Sequence, residues 1–108
     1  QILGHQLPQF ISEKMNKTVS IIIVSYNGLS FLKKCIQTIK KQSFKNIEIV
    51  VVDNNSLDDS ISYLEKNYPE IKIIKNKRNL GFAKGNNLGA KKAKDKAPKA
   101  AFTEKGVR

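Results

Sequence analysis

At 108 residues, with 40% apolar and 27% charged side chains, the chain has the size and composition of one small globular domain and is too short for two. A single cysteine, Cys35, excludes an intramolecular disulfide framework, and together with the single His5 it leaves no credible zinc site. The net charge of +11, from 20 Lys and Arg against 9 Asp and Glu, is compatible with a solvated basic surface, contact with an anionic membrane, or nucleic-acid binding.

The first part of the chain predicts one strand and one helix. Residues 1–17 show no sustained hydrophobic period, and we interpret them as a linker or upstream segment. The β-branched run at 19–25 predicts a strand that is buried on both faces. A helix is expected from Ser30, as its N-cap, to Gln42, because apolar side chains recur at helical spacing. These side chains are Leu32, Cys35, Ile36 and Ile39.

Two further strands and two further helices follow. A second buried strand is predicted over 47–52, and a helix is expected to begin near Ser56, where Asp59 completes a pattern like a capping box. Its apolar face is predicted to consist of Leu57, Ile61, Leu64 and Tyr68. A third strand is expected at 71–75, and a polar loop punctuated by glycine then leads into the third helix.

This order of elements, β-α-β-α-β-α with short connections, predicts an α/β fold with a Rossmann-like parallel sheet and right-handed crossovers. The predicted domain covers residues 18–93. No strand is expected after the third helix, so residues 94–108 are predicted to be a basic tail that is poorly ordered or weakly helical.

Polar residues follow each predicted strand, at the edge where open parallel sheets bind ligands. A carboxylate at Asp53, which ends an apolar run, can accept hydrogen bonds from ribose hydroxyls or a base N–H. Alternatively, Asp53 and Asn55 only brace the following helix, and the spacing does not decide between the two. The neighbouring Asp58 and Asp59 suit the dipole of a first helical turn, so we interpret them as structural.

Glycine recurs at every fourth residue in the last predicted helix, at Gly81, Gly85 and Gly89. This spacing gives one glycine face, which favours tight packing of the helix against the sheet but also allows the backbone to approach a diphosphate. The pattern matches neither the dinucleotide-binding fingerprint nor the phosphate-binding loop of nucleotide triphosphatases.

Three blocks of sequence, in order, resemble the N-terminal half of the family 2 inverting glycosyltransferases of the GT-A fold. The blocks are VSIIIVSYNG, IEIVVVDNNSLDDS and NLGFAKGNNLG. The resemblance is greatest to bacterial rhamnosyltransferase-like enzymes that build cell-surface polysaccharide. It implies that the nucleotide of a sugar donor is bound by residues following each of the three strands. By number these are Ser25, Tyr26, Asn27, Asp53, Asn55, Asn79, Gly81, Gly85 and Asn87.

The resemblance also implies an activity: transfer of a sugar, with inversion, from a nucleoside diphosphate to a saccharide or lipid-linked acceptor. Such an enzyme is expected in the cytoplasm or at the inner face of the membrane, with no nucleic-acid partner. Many members have Asp or Glu where this chain has Asn54, and Arg where it has Asn86, which leaves the donor base open.

The family resemblance further implies Mg²⁺ or Mn²⁺, held by an acidic motif at the end of a fourth strand. In that stretch this chain has only Asp95 and Glu104, neither of which is predicted to end an apolar strand. The acceptor half and its catalytic base are also missing. We therefore expect a truncated and inactive piece, without catalytic or metal-ligating residues of its own.

Two other classes of function are compatible with parts of the sequence. A basic binding module for nucleic acid or an anionic membrane would use the lysines of residues 84–108, although aromatic residues do not alternate with the basic ones. A receiver-like signalling domain would use Asp53 as phosphoacceptor. The uncharged Ser25, Tyr26 and Asn27 argue against it, because they stand where an acidic pair would be needed.

Overall fold

A computed structural model describes residues 18–43, 46–94, 97–103 and 106–107. These residues contain strands β1 (Val19–Ser25), β2 (Ile47–Asp53), β3 (Lys72–Lys75), β4 (Lys99–Thr103) and β5 (Gly106–Val107). The strands form one sheet in the order β3-β2-β1-β4-β5. β1 is parallel to β2 and β4, and β2 is parallel to β3, whereas β5 runs antiparallel to β4. The predicted Rossmann-like parallel α/β sheet is confirmed.

Three helices within the described residues cover the sheet: α1 (Leu29–Lys40), α2 (Ser60–Asn67) and α3 (Gly81–Lys92). Alternate residues of β1 and β2 point to opposite faces, which makes two separate cores. On one face, Ile23 and Val51 pack with α1 and α2. On the other face, Ile22 and Val52 pack against α3. In the described part of the chain, no helix is long and apolar enough to cross a membrane.

α1 has the predicted apolar face but begins in a different way. Leu32 and Ile36 are completely buried. The helix starts at Leu29, and the N-cap position is Gly28, which provides no side-chain hydrogen bond. Instead, the Leu29 N–H donates to Asp58 Oδ2 at 3.2 Å. The prediction that Ser30 is the N-cap is therefore wrong, because a carboxylate from a distant loop performs that task.

α2 begins at Ser60, four residues later than the predicted start at Ser56. The Ser56 hydroxyl is not available as a helix cap, since it accepts a hydrogen bond from the Asn27 N–H at 2.8 Å. As a consequence Leu57 lies outside the helix, with 84% of its surface exposed, whereas Leu64 is buried as predicted.

The prediction that no strand follows the third helix is wrong, because β4 adds to the sheet beside β1. Ala100, Ala101 and Phe102 pair with residues 21–23 of β1, and the Ser20 N–H donates to the Pro98 carbonyl at 2.9 Å. Alanine has a low intrinsic preference for strands, so the pairing depends on the neighbouring strand rather than on the local pattern. The domain therefore extends beyond residue 93. Asp95 and Glu104 lie outside the described residues, as does the segment 1–17.

At the opposite edge of the sheet from the polar loops, Glu48 links three elements. Its carboxylate accepts hydrogen bonds from the Ser20 hydroxyl at 2.7 Å and the Lys94 N–H at 3.0 Å, and it forms an ion pair with Lys72. Partial burial alone would raise the pKa of Glu48, but these contacts lower it from 4.5 to about 2. They therefore stabilise the fold above pH 4.5, and this contribution is lost as the pH falls towards 2.

Candidate functional site

The carboxyl ends of β1 and β2 form the centre of the candidate site. Ser25 and Asp53 are directly opposite each other in the parallel ladder. The Asn54 N–H donates to the Ser25 carbonyl at 2.8 Å and continues the pairing past the ends of the strands. Ser25 and Asp53 are only 1% and 3% exposed, so two polar side chains are buried side by side.

One polar atom of each of these two side chains has no hydrogen-bond partner in the part of the chain that the structure describes. Within the described residues, Ser25 Oγ and Asp53 Oδ1 are buried and make no hydrogen bond. The second carboxylate oxygen, Asp53 Oδ2, accepts the Ser56 N–H at 2.9 Å. A buried carboxylate oxygen without a donor costs free energy, and such groups in folded proteins call for an explanation. Of the two roles that the sequence left open for Asp53, the structure confirms the bracing of the turn through Oδ2, and contact of Oδ1 with a ligand stays a prediction.

Asn27 ties the loop after β1 to the loop after β2. Its backbone has a φ of 50°, in the left-handed region that asparagine tolerates. The Asn27 side-chain oxygen accepts the Leu57 N–H at 2.7 Å, and its own N–H donates to the Ser56 hydroxyl. Asn27 therefore shapes the site by bracing the two loops.

Asp58 holds the start of both helices on this face of the sheet. Besides the Leu29 N–H of α1, its carboxylate accepts the Ser60 N–H of α2 at 3.0 Å and the Ser60 hydroxyl. Partial burial alone would raise the pKa of Asp58, but these hydrogen bonds hold it below its usual value. The structural interpretation of Asp58 is confirmed. Asp59 occupies the N-cap position of α2 without a side-chain cap.

The third polar segment, between β3 and α3, is attached to the same edge through Asn54. The Asn54 side-chain oxygen accepts from Asn76 Nδ2 at 2.9 Å and the Leu80 N–H at 3.4 Å, while its amide group donates to the Gly81 carbonyl at 3.2 Å. The Asn79 side chain accepts the Gly81 N–H at 2.8 Å. Gly81 has a φ of 81°, which only glycine adopts readily.

The other two glycines of α3 serve close packing. A Cβ at Gly85 would lie 2.8 Å from Val24 Cγ1, and one at Gly89 would lie 2.4 Å from Ile22 Cγ2. The helix can approach β1 and β2 this closely only because both positions lack a side chain. The interpretation of the glycine face as helix–sheet packing is therefore confirmed for Gly85 and Gly89.

The structure brings most of the predicted site residues to one edge. Ser25 and Asp53 are in contact through the ladder, and Tyr26 and Asn55 are exposed beside them. Asn79 and Gly81 are joined to this edge through Asn54. Gly85 packs against Val24 of β1, and Asn87 is exposed further along α3. That any of these nine residues contacts a ligand stays a prediction.

Sequence reasoning missed the bridging residues. Asn54, Ser56 and Asp58 connect segments that are far apart in the chain, and a local pattern carries no information about such partners. The signal that could have suggested them is position alone, since all three lie in the loop between the buried strand β2 and α2.

The described residues do not fit a divalent cation. Across 18–43, 46–94, 97–103 and 106–107, no group of three or more His, Cys, Asp or Glu side chains could hold a metal ion. Asp53 and Asp58 also use carboxylate oxygens to brace the loops. We therefore derive no step of a reaction through a metal.

The strand order and the polar edge define a Rossmann-like α/β domain of the GT-A type, and solved structures of that type are similar to it. A mannosyltransferase from Pyrobaculum calidifontis, in complex with GDP-Man and Mn²⁺, matches with a TM-score of 0.63 at 23% identity, over 70% of this chain and 24% of that one. TarS from S. aureus matches with a TM-score of 0.66 at 26% identity, over 81% of this chain and 26% of that one.

Sequence comparison gives the family. The model of Glycosyl transferase family 2 matches residues 20–97. The chain therefore belongs to glycosyl transferase family 2.

Individual relatives agree with this assignment. A glycosyltransferase of Haemophilus influenzae is 40% identical over 74 residues, which are 66% of this chain and 23% of that protein. The GalNAc(5)-diNAcBac-PP-undecaprenol beta-1,3-glucosyltransferase of Campylobacter jejuni is 33% identical over 79 residues, which are 73% of this chain and 26% of that protein. The chain thus spans about a quarter of the length of these relatives.

Proposed function

We propose that the chain binds the nucleoside part of a nucleoside diphosphate sugar at the edge formed by Ser25 and Asp53. The observation that carries this proposal is the pair of buried acceptors, Ser25 Oγ and Asp53 Oδ1, that lack a donor in the described residues. Ribose hydroxyls and base N–H groups are donors of the required kind. Tyr26, 42% exposed beside this pair, offers an aromatic surface for a base.

For the whole protein, we propose that it is a transferase in cell-surface polysaccharide synthesis. It moves the sugar, with inversion, from the donor to a saccharide or lipid-linked acceptor. The Campylobacter relative supports a lipid-linked acceptor, because its name specifies an undecaprenol-linked one. The mannosyltransferase solved with Mn²⁺ supports use of Mg²⁺ or Mn²⁺ by the whole protein. The described residues supply no metal site, so we propose that the chain as given binds the donor without transferring its sugar.

Isothermal titration calorimetry tests this proposal with the 108-residue chain and UDP, dTDP and GDP. We expect one nucleotide to bind most tightly, with at least a tenfold difference between GDP and the pyrimidine nucleotides UDP and dTDP, because guanine and the pyrimidines present their N–H groups to a fixed acceptor at different positions. Inorganic diphosphate serves as the control and should bind more weakly than that nucleotide. The absence of heat with all three, while circular dichroism shows a folded chain, would contradict the proposal.

We also propose that the enzyme works at the cytoplasmic face of a membrane and that the outer face of α3 contacts anionic lipid. From residue 76 to residue 94 the sequence contains no carboxylate. Its cations are all exposed: Lys77, Arg78, Lys84, Lys91, Lys92 and Lys94. Lys84 and Lys91 are seven residues apart and lie on the same side of the helix.

The Lys84→Glu/Lys91→Glu variant should bind vesicles containing phosphatidylglycerol at least 30-fold more weakly, because each lysine near an anionic surface contributes about 1 kcal/mol. Cosedimentation measures this affinity. The control variant Lys41→Glu/Lys66→Glu makes the same change of charge at exposed positions next to the opposite face of the sheet. It should lose less affinity for the vesicles. Equal losses would contradict a docking face on α3, and tighter binding to RNA than to vesicles would favour the nucleic-acid alternative.

A further inference from the structure

Asn54 is almost completely buried, with 2% of its surface exposed, and its side chain accepts two hydrogen bonds and donates one. All its side-chain partners lie in the segment 76–81, which connects β3 to α3: Asn76 Nδ2, the Leu80 N–H and the Gly81 carbonyl. The same segment donates one further hydrogen bond to the edge, from the Asn76 N–H to the Asp53 carbonyl at 2.9 Å. Both ends of the segment are therefore fastened beside Asp53.

The chemistry of these bonds requires an amide. Two of the partners are donors and the third is a carbonyl oxygen, so the side chain must accept and donate at the same time. An ionised carboxylate of the same shape could keep the two accepted bonds, but it would face the Gly81 oxygen with a second lone pair. In a buried position such an unmatched acceptor is unfavourable by about 1–3 kcal/mol.

We infer that Asn54 is a positioning residue of the donor site: it holds the segment 76–81 against the sheet edge, so that the segment beside Asp53 is already fixed before the nucleotide arrives. This inference rests on the proposed function. Ordering a loop on binding reduces affinity, and a loop that is already fixed avoids that loss. Asn54 itself is only 2% exposed and so is not accessible to a ligand, and its effect on binding is exerted through the segment.

The Asn54→Asp substitution tests this inference with nearly no change of shape. At pH 7.5 we expect the nucleotide that wild type binds to bind the variant about tenfold more weakly, because the bond to the Gly81 carbonyl is replaced by repulsion. At pH 5 the difference should shrink to within about threefold. Burial raises the pKa of a carboxylic acid, and the protonated form can again donate to the Gly81 oxygen. Calorimetry at both pH values, expressed as the ratio to wild type, measures the effect.

Asn67→Asp is the matched control, since it introduces the same charge at an exposed position of α2 and should stay within twofold of wild type at both pH values. A second readout does not need nucleotide: hydrogen exchange of the Leu80 amide should be at least tenfold faster in Asn54→Asp at pH 7.5. If Asn54→Asp does not fold, Asn76→Ala removes one of the three bonds by deleting the partner of Asn54. Hydrogen exchange of the Leu80 amide is then expected to be threefold faster than in wild type.

The possible outcomes distinguish the role of Asn54 from the proposed function. Wild-type affinity of Asn54→Asp at pH 7.5, a loss that is equal at both pH values, or unchanged Leu80 exchange would overturn the role of Asn54. Failure of the wild-type chain to bind UDP, dTDP and GDP would instead contradict the proposed function, and the exchange of Leu80 would still decide whether Asn54 holds the segment.

Discussion

The Asp53→Asn variant is expected to bind nucleotide about 10- to 100-fold more weakly than wild type, while its fold is at least as stable. The oxygen of the new amide can still accept the Ser56 N–H and keep the turn intact. Its NH₂ group would replace Oδ1, the buried oxygen without a partner in the described residues. A ribose hydroxyl or base N–H would then meet a donor, and losing a hydrogen bond to a charged acceptor costs about 1.5–3 kcal/mol.

Stability should not fall, because the substitution removes a buried carboxylate that forms no ion pair with a cation of the described residues. Calorimetry with UDP, dTDP and GDP measures the affinity, and thermal unfolding followed by circular dichroism measures the stability. Asp59→Asn is the control: it neutralises an exposed carboxylate of the same loop that makes no side-chain cap. Unchanged binding by Asp53→Asn would remove Asp53 from the nucleotide site. A loss of stability above about 2 kcal/mol would favour helix bracing as its main role.

The second large effect is expected at Gly89, where we predict that substitution by valine lowers the free energy of unfolding by about 3 kcal/mol. The first side-chain atom would already lie 2.4 Å from Ile22 Cγ2 and 3.1 Å from Val52 Cγ2. Both neighbours are short, branched and buried in central strands, so neither can move aside. Overpacking of this kind costs about 1–3 kcal/mol, and valine adds two further methyl groups.

Chemical denaturation of the Gly89→Val variant gives this free energy directly. Ala83→Val, on the exposed side of α3, measures the helix propensity of valine without the clash and should cost less than about 1 kcal/mol. Equal stabilities of the two variants would show that α3 does not approach the sheet as closely as the distances at Gly89 require.

The parts of the fold that could be predicted are those with a strong local pattern. β1 and β2 are continuous β-branched runs, and the buried positions of α1 recur at helical spacing, so each element is visible within its own residues. β4 could not be predicted in this way. Its alanines have no strand preference of their own, and only pairing with residues 21–23 of β1 makes them a strand.

The candidate site likewise combines features that the sequence predicts with features that it does not. That Ser25 and Asp53 lie together follows from a parallel sheet, in which the carboxyl ends of neighbouring strands meet at one edge. The start of α2 was misplaced because Ser56 and Asp59 have the spacing of a local cap, whereas the Ser56 hydroxyl is bonded to Asn27. Nor could the role of Asn54 be predicted, since its partner Gly81 is 27 residues away in the chain.

The carboxylate of Asp58 has a consequence for motion at this edge. It accepts the Leu29 N–H at the start of one helix and the Ser60 N–H at the start of the other, on different oxygens of one side chain. A rotation of this single side chain therefore weakens the first turns of both helices at once. Separation of the loops after β1 and β2 has to break the bond to Leu29 and also the two bonds of Asn27 to Ser56 and Leu57.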